Sequence, residues 1–274
     1  VYDDGSLGWS YQTSDKVQTS PSVLNVDNEN IIFAGNKDGN FYSLDSNGSL
    51  RFMIETGDDI NVSASFVEHN GSVSIFFGSD NGNIYGIDLD GNSLLGWPVQ
   101  TGGKVSGSIA FSDLDGNGSP DIISSNDEGL LLAYNLDGTE LEYFPIEHDN
   151  PYSGSPSVLD VDGDGDLEIL AGSSLYLVVS DYKVPGLIDS YWNVDRANYM
   201  RTGYYVSSAG GSSCDAGDLN GDSIYDILDV VSLVNIVMGS TNPTESQECT
   251  ADLNGDGIFN VLDVVGLVNV VLGG

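Results

Sequence analysis

Two kinds of hydrophobic patterning divide the chain near residue 207. Before that point apolar residues fall in short runs that alternate with polar ones, and Gly, Asp and Asn close each run. That is the pattern of short strands joined by tight turns. Between residues 62 and 102 the predicted strands are Ala64–Glu68, Val73–Gly78, Asn83–Asp88 and Leu94–Thr101. After residue 207 the period changes to that of a helix, with predicted helices over Leu228–Met238 and Leu262–Leu272. At 100° per residue, Asp263, Gly266 and Asn269 share about one third of the second helix's circumference. The same arc of the first helix holds Asp229, Ser232 and Asn235, and the rest of the two helices is Val, Leu and Ile apart from the terminal Met238. So much apolar surface exceeds what two short helices bury against each other. The surplus is expected to dock on another surface, either the strand-rich part of the chain or another molecule.

The strand pattern repeats. Gly8-Trp9-Ser10-Tyr11-Gln12-Thr13 returns as Arg51-Phe52-Met53-Ile54-Glu55-Thr56, as Gly96-Trp97-Pro98-Val99-Gln100-Thr101 and as Tyr143-Phe144-Pro145-Ile146-Glu147-His148. The aromatic positions 9, 52, 97 and 144 are 43, 45 and 47 residues apart, and Asn25, Glu68, Asp113 and Asp160 keep the same steps. Four short strands in each repeat of about 45 residues is the pattern of a β-propeller blade. The repeats resemble FG-GAP and quinoprotein-like blades, and the likeness to quinoproteins brings no quinone site with it. Residues 1–206 are therefore expected to form about four blades, alone or within a larger ring. Strand Leu7–Thr13 stands first, without a blade of its own, and the last blade (Ser157–Val161, Leu167–Gly172, Leu175–Asp181) lacks a fourth strand. The opening strand can close the ring within the chain, belong to a lost blade of a larger ring, or complete a neighbouring molecule.

Two blades carry a sharper motif. Asp113, Asp115, Asn117 and Asp121 occupy positions 1, 3, 5 and 9 of one loop, and Asp160, Asp162, Asp164 and Glu168 those of another. A glycine follows the fifth position in each, Gly118 and Gly165. Oxygens on short side chains around a tight turn suit a hard cation. The motif resembles the calcium loop of FG-GAP blades, which implies Ca2+ on these residues. The corresponding stretches Asn25-Val26-Asp27-Asn28-Glu29 and Glu68-His69-Asn70-Gly71 lack the set, and no calcium is expected there.

The C-terminal part holds a tandem motif. Asp218, Asn220, Asp222, Ile224, Asp226 and Asp229 fall at loop positions 1, 3, 5, 7, 9 and 12. Thirty-four residues later Asp252, Asn254, Asp256, Ile258, Asn260 and Asp263 repeat them, and 15 of 22 aligned residues are identical. The isoleucines would lend only backbone carbonyls, and Gly257 sits at the sharp turn of the second loop, where the first has Ser223. Residues 214–274 resemble a dockerin, a calcium-binding plug that docks secreted proteins onto cohesin modules. Asp at position 12 agrees with that family. Positions 10 and 11 are the apolar pairs Ile227-Leu228 and Val261-Leu262, where cellulosomal dockerins carry polar recognition residues.

Composition narrows the partners. Forty-two acids stand against seven bases, a formal charge of −35, so phosphate-bearing partners such as nucleic acids and anionic membranes are disfavoured. No run reaches the roughly 20 apolar residues of a membrane-spanning helix. The start Val1-Tyr2-Asp3-Asp4 reads as that of a processed or excised piece of a longer precursor. Cys214 and Cys249 precede the two tandem loops at similar offsets, and a disulfide between them is expected, with an extracellular setting. Residues 207–213 read as a flexible linker. Residues 191–204 read as a cap across the last blade, with Arg196 and Arg201 paired to local acids; a carbohydrate platform is the alternative for their aromatics.

Catalytic signals are lacking. His69 and His148 belong to no nucleophile-elbow, zinc or phosphate-loop pattern, and the paired acids fall where cations would neutralise them. The sequence thus reads as mainly β, propeller blades followed by a small all-α calcium module, in a secreted, non-enzymatic adhesion, scaffolding or assembly protein. Its partner would be a cohesin-like module or copies of itself. The alternative is a glycan- or substrate-binding appendage of a secreted hydrolase anchored to a cell-surface cohesin.

Overall fold

The computed structural model describes residues 8–186, 191–196, 201–207, 217, 219, 227–241, 243, 247, 250–251, 253 and 259–271. The chain divides into two compact units, 1–210 and 211–274. The first is a series of four small antiparallel sheets. Sheet 1 contains β1 (Ser22–Val26), β2 (Glu29–Gly35), β3 (Asn40–Leu44) and β4 (Leu50–Glu55); sheet 2 contains β5 (Ser65–His69), β6 (Ser72–Gly78), β7 (Asn83–Ile87) and β8 (Val99–Gln100). Sheet 3 contains β9 (Ala110–Ser112), β10 (Asp121–Ser125), β11 (Leu130–Tyr134) and β12 (Ile146–Glu147). Sheet 4 has three strands, β13 (Ser157–Leu159), β14 (Asp166–Gly172) and β15 (Leu177–Pro185).

Each sheet is a meander, because its turns supply the backbone that short hairpins need. Asp27 (φ 52°) and Asn28 (φ 61°) join β1 to β2, and Asn70 (φ 51°) and Gly71 (φ 71°) join β5 to β6. Two consecutive positive-φ residues match the twist of a two-residue hairpin. These tight turns replace the longer acidic loops that sheets 3 and 4 carry at the same place. β8 is shorter than the expected Leu94–Thr101. Pro98 cannot donate to a ladder, and Trp97 turns away so that its indole N–H reaches Leu136 O, in the connection between the last two strands of the next sheet, at 2.9 Å.

Neighbouring sheets pack face to face through aromatic rings. Phe41 of sheet 1 stacks on Phe77 of sheet 2 with centroids 3.7 Å apart, and Phe76 meets Phe111 of sheet 3 edge-on at 5.5 Å. One apolar cluster runs through sheets 1 to 3, and a second joins sheets 3 and 4, with Phe144 against Tyr182. Among the described residues no cluster joins sheet 4 to sheet 1, and closure of the ring is not found.

Three expectations for this unit change. Residues 8–13 form no strand; a strand needs a partner ladder, and among the described residues theirs is absent. The added strand of sheet 1 is instead β16 (Tyr204–Val206), which pairs in parallel with β1, Val23 opposite Tyr204. Residues 191–207 are also more than a cap on the last blade, since they reach the first strand of every sheet. Trp192 O accepts from Phe111 N–H of β9, and Asn193 O from Val158 N–H of β13, both at 2.9 Å. Gly203 O accepts from Val23 N–H of β1 at 2.7 Å, and Trp192 lies against Phe66 of β5. Finally, Arg196 serves backbone carbonyls, donating to Arg201 O, Thr202 O and Pro21 O. Among the described residues neither Arg196 nor Arg201 forms an ion pair. A guanidinium offers several fixed donors, and here they tie two crossing backbone segments together.

The second unit contains α1 (Ile227–Val237) and α2 (Val261–Val271). Their shared core includes Leu219, Val230, Leu233, Ile236, Ala251 and Leu267. No described helix is long and apolar enough to cross a membrane.

Candidate metal loops and docking face

The loop between β9 and β10 is wound around Asp113. Its carboxylate accepts the N–H groups of Asn117 and Gly118, each at 2.9 Å. Asp115 also accepts from Asn117, and Asn117 in turn from Ser119. Asp121 reaches back from the start of β10 to accept Leu114 N–H at 2.9 Å. Carboxylate oxygens of Asp113, Asp115 and Asp121 lie within 4.8 Å of one another. Asp113 and Asp121 are buried, and Asp121 Oδ1 has no hydrogen-bond partner. Burial, with the charges of Asp115 and Asp113 beside it, pushes the Asp121 carboxyl up to about 7. A buried carboxylate oxygen without a partner is costly. Here it faces two further acids, an arrangement a hard cation would complete.

The loop between β13 and β14 repeats this construction. Asp160 accepts N–H groups of Gly163 and Gly165, and Glu168 accepts Val161 N–H at 2.6 Å. Asp160, Asp162 and Glu168 converge within 4.8 Å, and Glu168 Oε1 is buried without a partner. A second group, Asp164, Asp166 and Glu168, shares the glutamate. Asp166 is an acid that the spacing rule passed over, because it stands at position 7, where only a carbonyl is expected. A hydrogen bond with Asp164, with burial added, pushes its carboxyl up to about 6. Lys183 on β15 lies 3.3 Å from Asp164 and 3.5 Å from Asp166. No local sequence signal points to it, since it arrives through the sheet.

In the second unit the described parts of the two loops are superposable in their bonding. Asp229 accepts Leu219 N–H at 2.9 Å, and Asp263 accepts Leu253 N–H at 3.0 Å. Each position-12 carboxylate, fully buried, thus closes its loop onto the second loop residue. Asn260 Oδ1 caps α2 by accepting Leu262 N–H at 2.7 Å. Asp218, Asn220, Asp222, Ile224, Asp226, Asp252, Asn254, Asp256 and Ile258 lie outside the described residues, as do Cys214 and Cys249. Within their arcs Asp229 and Asp263 are thus turned inward, while Asn269 at the far end of the second arc is exposed. Outward-facing apolar residues are matched between the helices: Ile227, Leu228 and Val231 on α1, and Val261, Leu262 and Val265 on α2, all more than half exposed.

Two family models each match one stretch of the chain. An FG-GAP-like repeat model matches residues 113–171, which include both acidic loops of sheets 3 and 4. No curated protein sequence matches the chain significantly. Among solved structures, BamB from Moraxella catarrhalis is 20% identical over 65% of this chain and 50% of its own, with a TM-score of 0.46. The chain thus spans about half the length of that protein. The V. cholerae biofilm matrix protein Bap1 is 22% identical over 61% of this chain and 31% of its own, with a TM-score of 0.47. The computationally designed Ika4 protein is 14% identical over 63% and 94%, with a TM-score of 0.44. A Dockerin type I domain model matches residues 216–272, and such domains bind calcium and dock onto cohesin partners. The chain thus carries an FG-GAP-like repeat over residues 113–171 and a type I dockerin match over residues 216–272, and both are non-catalytic kinds of module.

Proposed function

We propose that this is a secreted, calcium-stabilised and non-catalytic protein of adhesion, scaffolding or assembly, attached to its partner through the dockerin module. The observation that carries the reading is the matched apolar face of α1 and α2. Six large side chains stay exposed at equivalent positions, next to loops whose closing aspartates are buried. An exposed apolar patch of this kind marks a docking surface. Calcium is assigned to Asp113, Asp115, Asn117 and Asp121, to Asp160, Asp162, Asp164 and Glu168, and to the two dockerin loops. Support comes from the partnerless buried oxygens of Asp121 and Glu168 in the first two. The extracellular setting follows from this demand for calcium, from the acid excess and from the expected Cys214–Cys249 bridge.

The test is calorimetric titration of the full chain with isolated cohesin modules, in calcium and in EGTA. Saturable binding that EGTA abolishes is expected. Absence of binding to every cohesin type, with calcium present, would overturn the docking assignment.

A further inference from the structure

Sheets 1 to 3 finish in one way, and sheet 4, among the described residues, does not. In each of the first three, the residue after the fourth strand donates its N–H to the turn glycine before the third strand. Thr56 donates to Gly39 O, Thr101 to Gly82 O and His148 to Gly129 O, at 2.7 to 2.8 Å. Three residues on, a carbonyl docks on the next sheet: Asp59 O accepts from Asp80, Lys104 O from Asp127 and Pro151 O from Ser174. The following residue is an apolar plug, Ile60, Val105 or Tyr152, at most 3% exposed. Ile60 and Val105 fill the space beside Gly35 and Gly78, where even a Cβ would collide with them.

Residues 9–17 carry the same device with only its forward half engaged. Trp9 donates to Ser46 O and covers Gly48, as Trp97 donates to Leu136 O. Thr13 Oγ1 bonds Asp15 O, as Thr56 bonds Asp58 O and Thr101 bonds Gly103 O. Lys16 O accepts Lys37 N–H of the next turn at 3.0 Å. Among the described residues the backward contacts are missing. Val17, the plug, is 42% exposed. The corresponding socket is Gly172 at the end of β14, and an added Cβ there meets nothing within 4 Å. β15 lies at the edge of its sheet, with Leu175, Tyr176, Leu177 and Val179 all more than half exposed. A long apolar edge strand is a template for strand addition.

We propose that a second copy of the chain supplies the missing half: residues 9–17 of one copy lie along β15 of the next. The register follows from the other sheets. Asn40 pairs with Glu55, Asn83 with Gln100 and Leu130 with Glu147. Ser173 N–H bonds Tyr176 O as Asn36 bonds Asn40 O, which places Tyr176 opposite Gln12 and Leu177 opposite Tyr11. Val17 then enters the Gly172 socket. Within one chain the donor segment is held on sheet 1 while, among the described residues, the outer edge of β15 has no partner strand, so each copy offers one donor and one acceptor. The contact is heterologous, and it builds either a closed ring of copies or a filament.

The experiment uses the full chain in calcium. Gln12→Cys and Tyr176→Cys proteins are mixed under mild oxidation, and the cross-linked peptide is identified by mass. Opposed residues of an antiparallel pair lie about 5 Å apart, within disulfide reach. A 12–176 heterodimer is expected. Absence of that link overturns the proposal. So does the double variant, if it yields only a monomer bridged within itself, because the ring then closes inside one chain. Sedimentation provides an independent reading. The unmodified chain should run above 29.0 kDa, and Gly172→Ile, which fills the socket without touching the fold, should return it to monomer. A monomeric unmodified chain, or an unchanged Gly172→Ile assembly, counts against it.

Discussion

Trp192 stands edge-on to Phe66, ring centroids 5.2 Å apart, and this contact joins the segment after the last sheet to the first strand of sheet 2. Both residues are buried, and Trp192 is a member of the cluster that runs through sheets 1 to 3. Trp192→Ala is expected to cost about 3–5 kcal/mol, as other large aromatic deletions from cores do. Thermal melting of the first unit should fall, with no change in cohesin binding by the dockerin module.

Asp121 predicts a pH dependence. Its carboxyl, pushed up from 3.8 to about 7 in the folded state, binds a proton that the unfolded chain has already lost. Metal-free stability from this group is therefore full below 3.8 and is lost as pH rises towards 7. The loss is on the order of a few kcal/mol. Calcium should reverse it. Chemical denaturation in EGTA at a series of pH values checks the slope. Asp121→Asn should flatten it and raise metal-free stability at neutral pH.

Calcium removal should lower the melting temperature markedly, because each loop then holds uncompensated acids. Native mass spectrometry is expected to show one ion for each of the four loops. Asp113→Ala and Asp160→Ala should each remove one ion, and an unchanged count would sink the assignment to that loop.

Leu228 and Leu262 are exposed by 57% and 61%. Leu228→Asp with Leu262→Asp should abolish cohesin capture, while circular dichroism of the calcium-loaded protein stays unchanged. Retained capture would move the docking face elsewhere.

Gly35 and Gly172 occupy the same place in sheets 1 and 4 but different surroundings. Gly35→Val drives its side chain into Ile60 and should cost about 1–3 kcal/mol by overpacking. Gly172→Val meets open space and should leave the melting temperature of a single chain unmoved.

Much of this was legible in the sequence, for reasons that can be located. Blades could be counted because the aromatic positions 9, 52, 97 and 144 recur at steps of 43, 45 and 47, and the turns between strands recur with them, Gly39, Gly82 and Gly129 standing at positive φ in equivalent places. The acidic loops were legible because oxygen spacing along a tight turn is a local property. Both helices emerged within a residue of their expected bounds, since their period is unbroken. Contacts made at a distance were not legible. Nothing local tells that residues 191–207 meet all four sheets, or that Lys183 approaches Asp164 across a sheet. Residues 8–13 show the other limit: they keep a strand's sequence and a fourth strand's seat, yet form no strand without a ladder beside them.

The segment 191–207 also sets an order in time. Val23 near the start of the chain is bonded to Gly203, and Phe111 and Val158 to Trp192 and Asn193. The first strands of the sheets therefore lack their common partner until the last residues of the unit have been made. Contacts of such long sequence separation must close large loops before they stabilise anything, and folding slows accordingly. A growing chain would hold its early sheets in a loosely joined state through most of synthesis, and lock them in one late step.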